Sequence, residues 1–215
     1  MRSARNAVLI VLLTAANIFA AYPLSTDDAG IVSVGRYELE AGYDNCKDEN
    51  ELINKTCGIS FKHGVTEKMD MGVSFPFLIE PSKEGRLGAA IMVVKFSIVK
   101  DIVSVTFSNE LGEKDYFINT IYTKELPFFL CNFNLGYLSS GDDNEKGSSS
   151  YGFSLAHSFG KYETLGEIQG QEGGYGNWLL GLRRKINDRL FAAAGFSRTF
   201  ESSSDKLSVG FHFEF

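Results

Sequence analysis

The sequence lacks several features that would identify common classes of protein. Beyond residue 21 it has no apolar run of the roughly 20 residues that a membrane-spanning helix needs. Its 21 Lys and Arg stand against 27 Asp and Glu, so it lacks the basic footprint of a nucleic-acid-binding protein. It has no Gly-rich phosphate loop and no Cys and His spacing typical of a metal site. We therefore expect no cofactor, no bound metal and no nucleic-acid partner.

The one continuous apolar stretch lies at the start of the chain. Arg2 and Arg5 precede an apolar run over residues 7–16, and Ala20 or Ala21 supplies the small residue of a cleavage site. We expect residues 1–21 to be a signal peptide, with a retained anchor helix as the alternative. Residues 22–215 would then form the mature chain, with residues 22–34 as a periplasmic N-terminal segment.

Cysteine is scarce, with three in the whole chain. Cys46 and Cys57 flank a predicted loop, and an exported chain meets an oxidising compartment. The spacing permits a disulfide between them, but sequence gives no geometry, so the bonded and free forms both stay open.

Aromatic residues and glycine, by contrast, are abundant, with 18 Phe, 9 Tyr and 22 Gly. Apolar and polar residues alternate along the chain with the period of two that is typical of strands. In the last strand Leu207, Val209 and Phe211 share one face, and Ser208 and His212 share the other. The predicted strands are 35–44, 55–63, 69–79, 87–98, 102–111, 115–125, 128–139, 150–159, 161–170, 175–186, 189–200 and 205–215.

Alternation alone also fits a soluble barrel or sandwich. Three further features favour a membrane barrel: connections that alternate between long and short, an even strand count that puts both ends of the barrel on the short-turn side, and aromatic residues near the ends of the apolar faces. Most predicted strands have about 9–12 residues, the length that a tilted strand needs to cross a bilayer. We therefore predict an all-β fold, an antiparallel up-and-down transmembrane β-barrel of about twelve strands in a bacterial outer membrane. The aromatic C-terminal strand ending in Phe215 is typical of the signal that the barrel assembly machinery reads.

A short motif opens the mature chain. It comprises Pro23, Leu24, Thr26, Asp27 and Asp28 in the segment PLSTDDA, followed by GRYELE at 35–40. This resembles the outer-membrane family named for the meta-pathway of phenol degradation. The resemblance implies transport of small, aromatic or apolar compounds, and an N-terminal segment that tucks into or caps the periplasmic mouth. The residues themselves favour a solvated turn for Asp27 and Asp28, because acids beside Ser, Thr and Gly are ordinary loop chemistry.

Charged residues on the polar faces are the candidates for function, since they would line the lumen. Such charges either set the selectivity of a conduit for small molecules or pair to fill a structural or surface-interaction barrel. Twelve strands lie between the filled eight-stranded and the open sixteen-stranded barrels, and we favour the conduit. The predicted lumen residues are Arg36, Glu38, Glu40, Lys62, Asp70, Lys95, Glu110, Glu163, Glu167, Arg183, Lys185, His212 and Glu214.

An outer-membrane lipid hydrolase is the competing class. His157 precedes Ser158, but adjacent residues of a strand point to opposite faces and cannot form a nucleophile–base pair. We therefore predict that the chain is not an enzyme. The expected partners are outer-membrane lipid, the assembly machinery and an unidentified small solute, and the expected state is a monomer.

Overall fold

The computed structural model describes residues 22–81, 86–142, 146–174, 176–202 and 204–215, so the predicted signal peptide lies outside the described residues. Within these ranges no helix is both long and apolar enough to span a membrane. The strands are β1 (Tyr37–Lys47), β2 (Ile53–Thr66), β3 (Met69–Glu80), β4 (Arg86–Leu87), β5 (Ile91–Val99), β6 (Val103–Glu110), β7 (Tyr116–Glu125), β8 (Leu130–Leu138), β9 (Ser148–Phe159), β10 (Tyr162–Gln171), β11 (Asn177–Lys185), β12 (Leu190–Thr199) and β13 (Asp205–Glu214).

The strands close into an antiparallel barrel. Neighbours in the chain pair with one another, and β1 also pairs with β13 from Glu38↔Glu214 to Lys47↔Asp205, which completes the ring. Both β4 and β5 pair with β3 and form one interrupted strand. The barrel therefore has twelve transmembrane strands, as predicted.

The interruption between β4 and β5 has a local cause. Ser74 pairs with Ile91 and Phe77 with Leu87, so two residues of β3 face three residues of the opposite strand. Pro76 has no N–H to give to the ladder, and its carbonyl accepts the N–H of Gly88 at 2.8 Å. A one-residue bulge of this kind breaks the regular pairing.

The apolar faces point outward, as the alternation predicts for lipid. Leu207 and Phe211 are 52% and 58% exposed, whereas Ser208 between them is 1% exposed. In hydrocarbon every backbone polar group must find a partner within the protein, and a closed barrel supplies one along each strand. Two exceptions to the alternation, Phe117 and Ile121, do face inward, where Phe117 packs beside Gly136 and Ile121 is fully buried.

The two ends of the barrel differ in their connections. Residues 67–68, 100–102, 126–129, 160–161 and 186–189 make the short turns at one end, which also carries Phe215. Residues 48–52, 81–85, 111–115, 139–147, 172–176 and 200–204 make longer connections at the other. We call these the short-turn end and the loop end. In bacterial outer-membrane barrels the short turns are periplasmic.

Candidate functional site in the barrel lumen

Residues 22–34, here called the inner segment, run through the lumen. They enter at the short-turn end, where Val34 forms a parallel bridge to Gly64. Further along, Leu24, Ala29 and Val32 are buried. The solvated turn expected for Asp27 is wrong, because Asp27 is only 9% exposed. Its carboxylate lies 3.0 Å from the ammonium of Lys95.

Glu167 of β10 is the strongest polar anchor of the inner segment. Its Oε2 accepts hydrogen bonds from the backbone N–H groups of Ser25 and Thr26, each at 2.7 Å. It also accepts one from Oγ1 of Thr26 at 2.9 Å. Hydrogen bonds to a charged acceptor are stronger than neutral ones. Glu167, one of the predicted lumen residues, therefore holds the segment.

Neutral side chains of β6 to β8 bind the backbone of the segment. Asn134 accepts from the N–H of Asp27 at 3.0 Å and donates to its carbonyl at 2.8 Å. Thr123 accepts from the N–H of Ala29 at 2.7 Å, and Ser104 donates to the carbonyl of Ala29 at 2.6 Å. The segment lies outside the ladders of the barrel, so these side chains satisfy buried groups that would otherwise be unpaired.

The segment also has an apolar anchor. Leu24 packs in a buried cluster with Ala156, Leu165 and Leu179. At the far end, the hydroxyl of Tyr22 donates to Asp44 at 2.6 Å. A buried Leu contributes about 1.5–3 kcal/mol, so Leu24 favours the seated position of the segment.

Glycines on the wall make room for this path. A Cβ at Gly42 would lie 2.5 Å from Cε2 of Tyr22, and one at Gly195 would lie 2.7 Å from Cγ of Pro23. A Cβ at Gly152 would lie 2.5 Å from Cγ2 of Thr26. These distances are well inside van der Waals contact, so larger residues at these wall positions would displace the segment.

The residues of the N-terminal motif have structural roles in this chain. Pro23, Leu24, Thr26 and Asp27 contact the wall as described above. Asp28 stabilises the turn that follows, since its Oδ1 accepts the N–H of Gly30 at 2.7 Å. Near the short-turn end, the carboxylate of Asp70 on β3 accepts the N–H of Val32 at 2.9 Å.

A cavity of about 220 Å³ lies between the inner segment and the barrel wall. We call it the vestibule. Its wall comes from β1, β2, β3, β5 and β11 to β13, and six carboxylates face three Lys and Arg groups and one histidine. Its charged residues are Asp27, Asp28, Glu38, Glu40, Lys62, Asp70, Lys95, Arg183, His212 and Glu214.

The predicted lumen residues divide into those that the structure brings together and those that it does not. Eight line the vestibule, and Glu163 lies beside them in a 2.9 Å ion pair with Arg183. Arg36 precedes β1 and is exposed, and exposed Lys185 pairs with Asp188 in the turn that follows β11. Glu110 ends β6 at the opposite, loop end. Alternation put these three on the lumen face, but each lies at or just beyond the end of its strand and outside the vestibule.

Sequence reasoning missed the residues that bind the segment. Asn134, Thr123 and Ser104 are isolated polar residues within ordinary alternation, and nothing in their spacing marks them as partners of residues 27–29. The glycines at positions 42, 152, 195 and 210 were a usable signal. Several glycines on inward faces indicate that something packs closely against the wall.

The disulfide that the sequence left open does not form. Both cysteines are free. Cys46 pairs with Asn54 and Cys57 with Tyr43, so the two lie three residues apart along the ladder, roughly 10 Å, and on opposite faces. That separation is beyond the reach of a disulfide.

His157 does not sit in a hydrolase-like arrangement. Its Nδ1 lies 2.6 Å from the carbonyl oxygen of Phe128, and its ring contacts Phe129 and Phe159. Within the described part of the chain, the side-chain hydrogen bond of this histidine therefore goes to the backbone and not to a serine hydroxyl.

Comparison with known proteins places the fold. No family model matches the sequence, and no curated protein does. A solved structure of the KdgM porin in complex with disordered oligogalacturonate is similar, with a TM-score of 0.61 at 7% identity over 83% of this chain and 99% of that one. The structure of Omp33 of Acinetobacter baumannii has a TM-score of 0.50 at 9% identity, over 84% of this chain and 98% of that one. The structure of outer membrane phospholipase A of Escherichia coli has a TM-score of 0.52 at 12% identity, over 92% of this chain and 96% of that one.

At these identities the likeness establishes fold and not activity, since the same fold appears in porins and in a phospholipase. The fold agrees with the structure itself, in which the barrel is closed and its outer surface is apolar. Together they identify the chain as a twelve-stranded β-barrel with the fold of bacterial outer-membrane proteins.

Proposed function

We propose that this barrel is an outer-membrane conduit for small molecules, and that the inner segment closes it and opens it by leaving its seat. The observation that carries this is the position of the segment. It crosses the lumen, where hydrogen bonds to wall side chains and one ion pair hold it in addition to the apolar contacts of Leu24. Water can replace such bonds when the segment moves, whereas a continuous apolar core would resist that exchange.

The charge of the vestibule supports a class of solute. Six carboxylates against three Lys and Arg groups leave an anionic surface, and charges lining a pore select by their local potential. Neutral or cationic solutes are therefore favoured over acidic oligosaccharides of the kind bound by the KdgM porin. The resemblance to the phenol meta-pathway family suggests aromatic or apolar compounds, and Ile31 and Phe191 give the vestibule an apolar part.

The anionic surface predicts cation selectivity. In a potassium chloride gradient, the reversal potential of the open channels should lie near the equilibrium potential of potassium. A reversal potential near the equilibrium potential of chloride would contradict the proposed solute class. It would not contradict the proposal that the barrel conducts.

A filled structural barrel is the second candidate, favoured by one observation. Leu24 sits in a buried apolar cluster, which stabilises the seated segment and would hold the lumen closed. The two candidates differ in what removal of the segment does.

Planar-bilayer recordings distinguish them. We expect the refolded mature chain to show brief openings, and a variant without residues 22–32 to conduct continuously, because that part forms no strand of the barrel. Heat-modifiable migration on gels would show that both proteins have folded. A folded deletion variant without conductance would reject the conduit and support the filled barrel.

We also propose that the chain is not an enzyme, on the contacts of His157 described above. Turnover of lipid or ester substrates that is lost in His157→Gln would contradict this. Insertion through the assembly machinery and a monomeric state remain predictions from sequence.

A further inference from the structure

The seam that closes the barrel carries an unusual group of side chains. At the short-turn end of this seam, Glu38 of β1 lies directly opposite Glu214 of β13, and Glu40 lies opposite His212. All four residues line the vestibule. Two like charges directly opposite one another in an antiparallel pair are destabilising, so the Glu38–Glu214 pair calls for a cation between its members.

His212 is positioned between these carboxylates. Its Nδ1 lies 2.9 Å from Oε1 of Glu40, and its Nε2 lies 3.1 Å from Oε1 of Glu214. One ligand atom each from Glu38, His212 and Glu214 lie within 4.8 Å of one another. Three donor atoms this close together can turn toward one small ion.

Glu40 supplies an independent indication. Its side chain is only 4% exposed, and within the described residues its Oε2 has no hydrogen-bond partner. Metal-binding histidines usually donate their second ring N–H to a carboxylate, which fixes the ring and makes the metal-binding nitrogen more basic. The contact from Nδ1 of His212 to Glu40 has this arrangement and leaves Nε2 facing Glu38 and Glu214.

We propose that the seam binds a divalent transition-metal ion, with zinc as the first candidate. Nε2 of His212 and the carboxylates of Glu38 and Glu214 are the ligands, water completes a tetrahedral set, and Glu40 positions the imidazole. Binding at Nε2 displaces any proton there, which passes to solvent, while the Nδ1 proton stays shared with Glu40. One nitrogen and two oxygens suit zinc, whereas calcium and magnesium prefer oxygen ligands alone.

Lys62 is the neighbouring cation that competes for Glu38. Its Nζ lies 3.5 Å from Oε2 of Glu38, so an ion bound by Glu38 has to share that carboxylate with Lys62. The ion would tie the first strand of the barrel to the last. It would therefore stabilise closure whether or not the lumen conducts.

The test uses the folded mature barrel in detergent after treatment with a chelator. Calorimetric titration with zinc should show one site, and cobalt should give the intense visible absorption bands of a tetrahedral complex. His212→Gln should abolish both signals. His157→Gln is the matched control, since that histidine lies on the outer face of β9, and it should bind as the wild type does.

Glu40→Gln tests the positioning role separately. It should retain the cobalt bands but weaken zinc binding by about 10–100-fold, the usual effect of losing such a partner. In thermal unfolding, zinc should raise the midpoint of the wild type and of His157→Gln but not that of His212→Gln. If the wild type binds no more zinc than His212→Gln, or prefers calcium to zinc, the site does not exist as described.

Discussion

The lumen has two walls of different chemistry, and the inner segment lies between them. The wall from β6 to β9 is uncharged through its middle and presents Ser104, Thr123, Asn132, Asn134 and Ser154. The opposite wall, from β10 round to β5, carries the ion pairs and the carboxylates of the vestibule. The segment binds the neutral wall through the backbone of Asp27 and Ala29. It binds the charged wall through the backbone N–H groups of Ser25, Thr26 and Val32 and through the carboxylate of Asp27.

This difference indicates how the two walls divide their roles. Neutral donors and acceptors on the wall pair with the backbone of the segment. Breaking each such hydrogen bond when the segment leaves costs a net free energy of about 0.5–1.5 kcal/mol. Buried charges are costly to separate once paired, so the charged contacts should decide how often the segment leaves. Variants on the two walls should therefore affect opening to different degrees.

The largest effect is expected on the charged wall. Lys95→Leu removes the partner of buried Asp27, and breaking one side of a buried pair costs about 3–5 kcal/mol. We expect the seated state to be strongly destabilised and the open probability in bilayer recordings to rise steeply. Phe107→Leu, a change on the lipid face, should leave the open probability as in the wild type. Equal behaviour of the two variants would show that Asp27 does not hold the segment.

An intermediate effect is expected at the main polar anchor. Glu167→Gln removes the charge that accepts three hydrogen bonds from Ser25 and Thr26, and bonds to charged groups contribute about 1.5–3 kcal/mol. Openings should become more frequent without a change in single-channel conductance. Glu163→Gln lies on the same strand and face but pairs with Arg183, so it serves as the control. A similar rise in Glu163→Gln would attribute the effect to lumen charge and not to release of the segment.

The smallest effect is expected on the neutral wall. Thr123→Val preserves shape and removes the hydroxyl that accepts the N–H of Ala29. It also removes the hydrogen bond that this hydroxyl donates to Oδ1 of Asn132. The loss of these two neutral hydrogen bonds, with the N–H of Ala29 left buried, should destabilise the seat by about 1–3 kcal/mol and raise the open probability modestly. An effect larger than that of Lys95→Leu would reverse the roles assigned to the two walls.

The barrel was predictable from sequence because alternate residues of each strand face lipid and a polar lumen, and are therefore apolar and polar in turn. The clean alternation from Leu207 to Phe211 therefore predicted the outer face correctly. The inner segment was not predictable in the same way. Its partners, such as Asn134 and Glu167, come from different strands, and only the closed barrel brings them together.

Register set the other limit of sequence reasoning. The spacing of Cys46 and Cys57 allowed a disulfide, but the β1–β2 ladder places the two three residues apart. The seam pairing of Glu40 with His212 was equally hidden, since these residues lie at opposite ends of the chain. Long-range pairing depends on barrel closure and has no local signature.

The most direct test of the account is to lock the inner segment in its seat. The Cβ of Thr26 lies 3.8 Å from the position that a Cβ on Gly152 would take, which is the usual separation across a disulfide. Thr26→Cys and Gly152→Cys, in a chain whose three native cysteines are changed to serine, should form a reversible lock. We predict that the oxidised barrel does not conduct and that reduction restores openings in the same preparation. Equal conductance in the oxidised and reduced states would contradict control of passage by the inner segment.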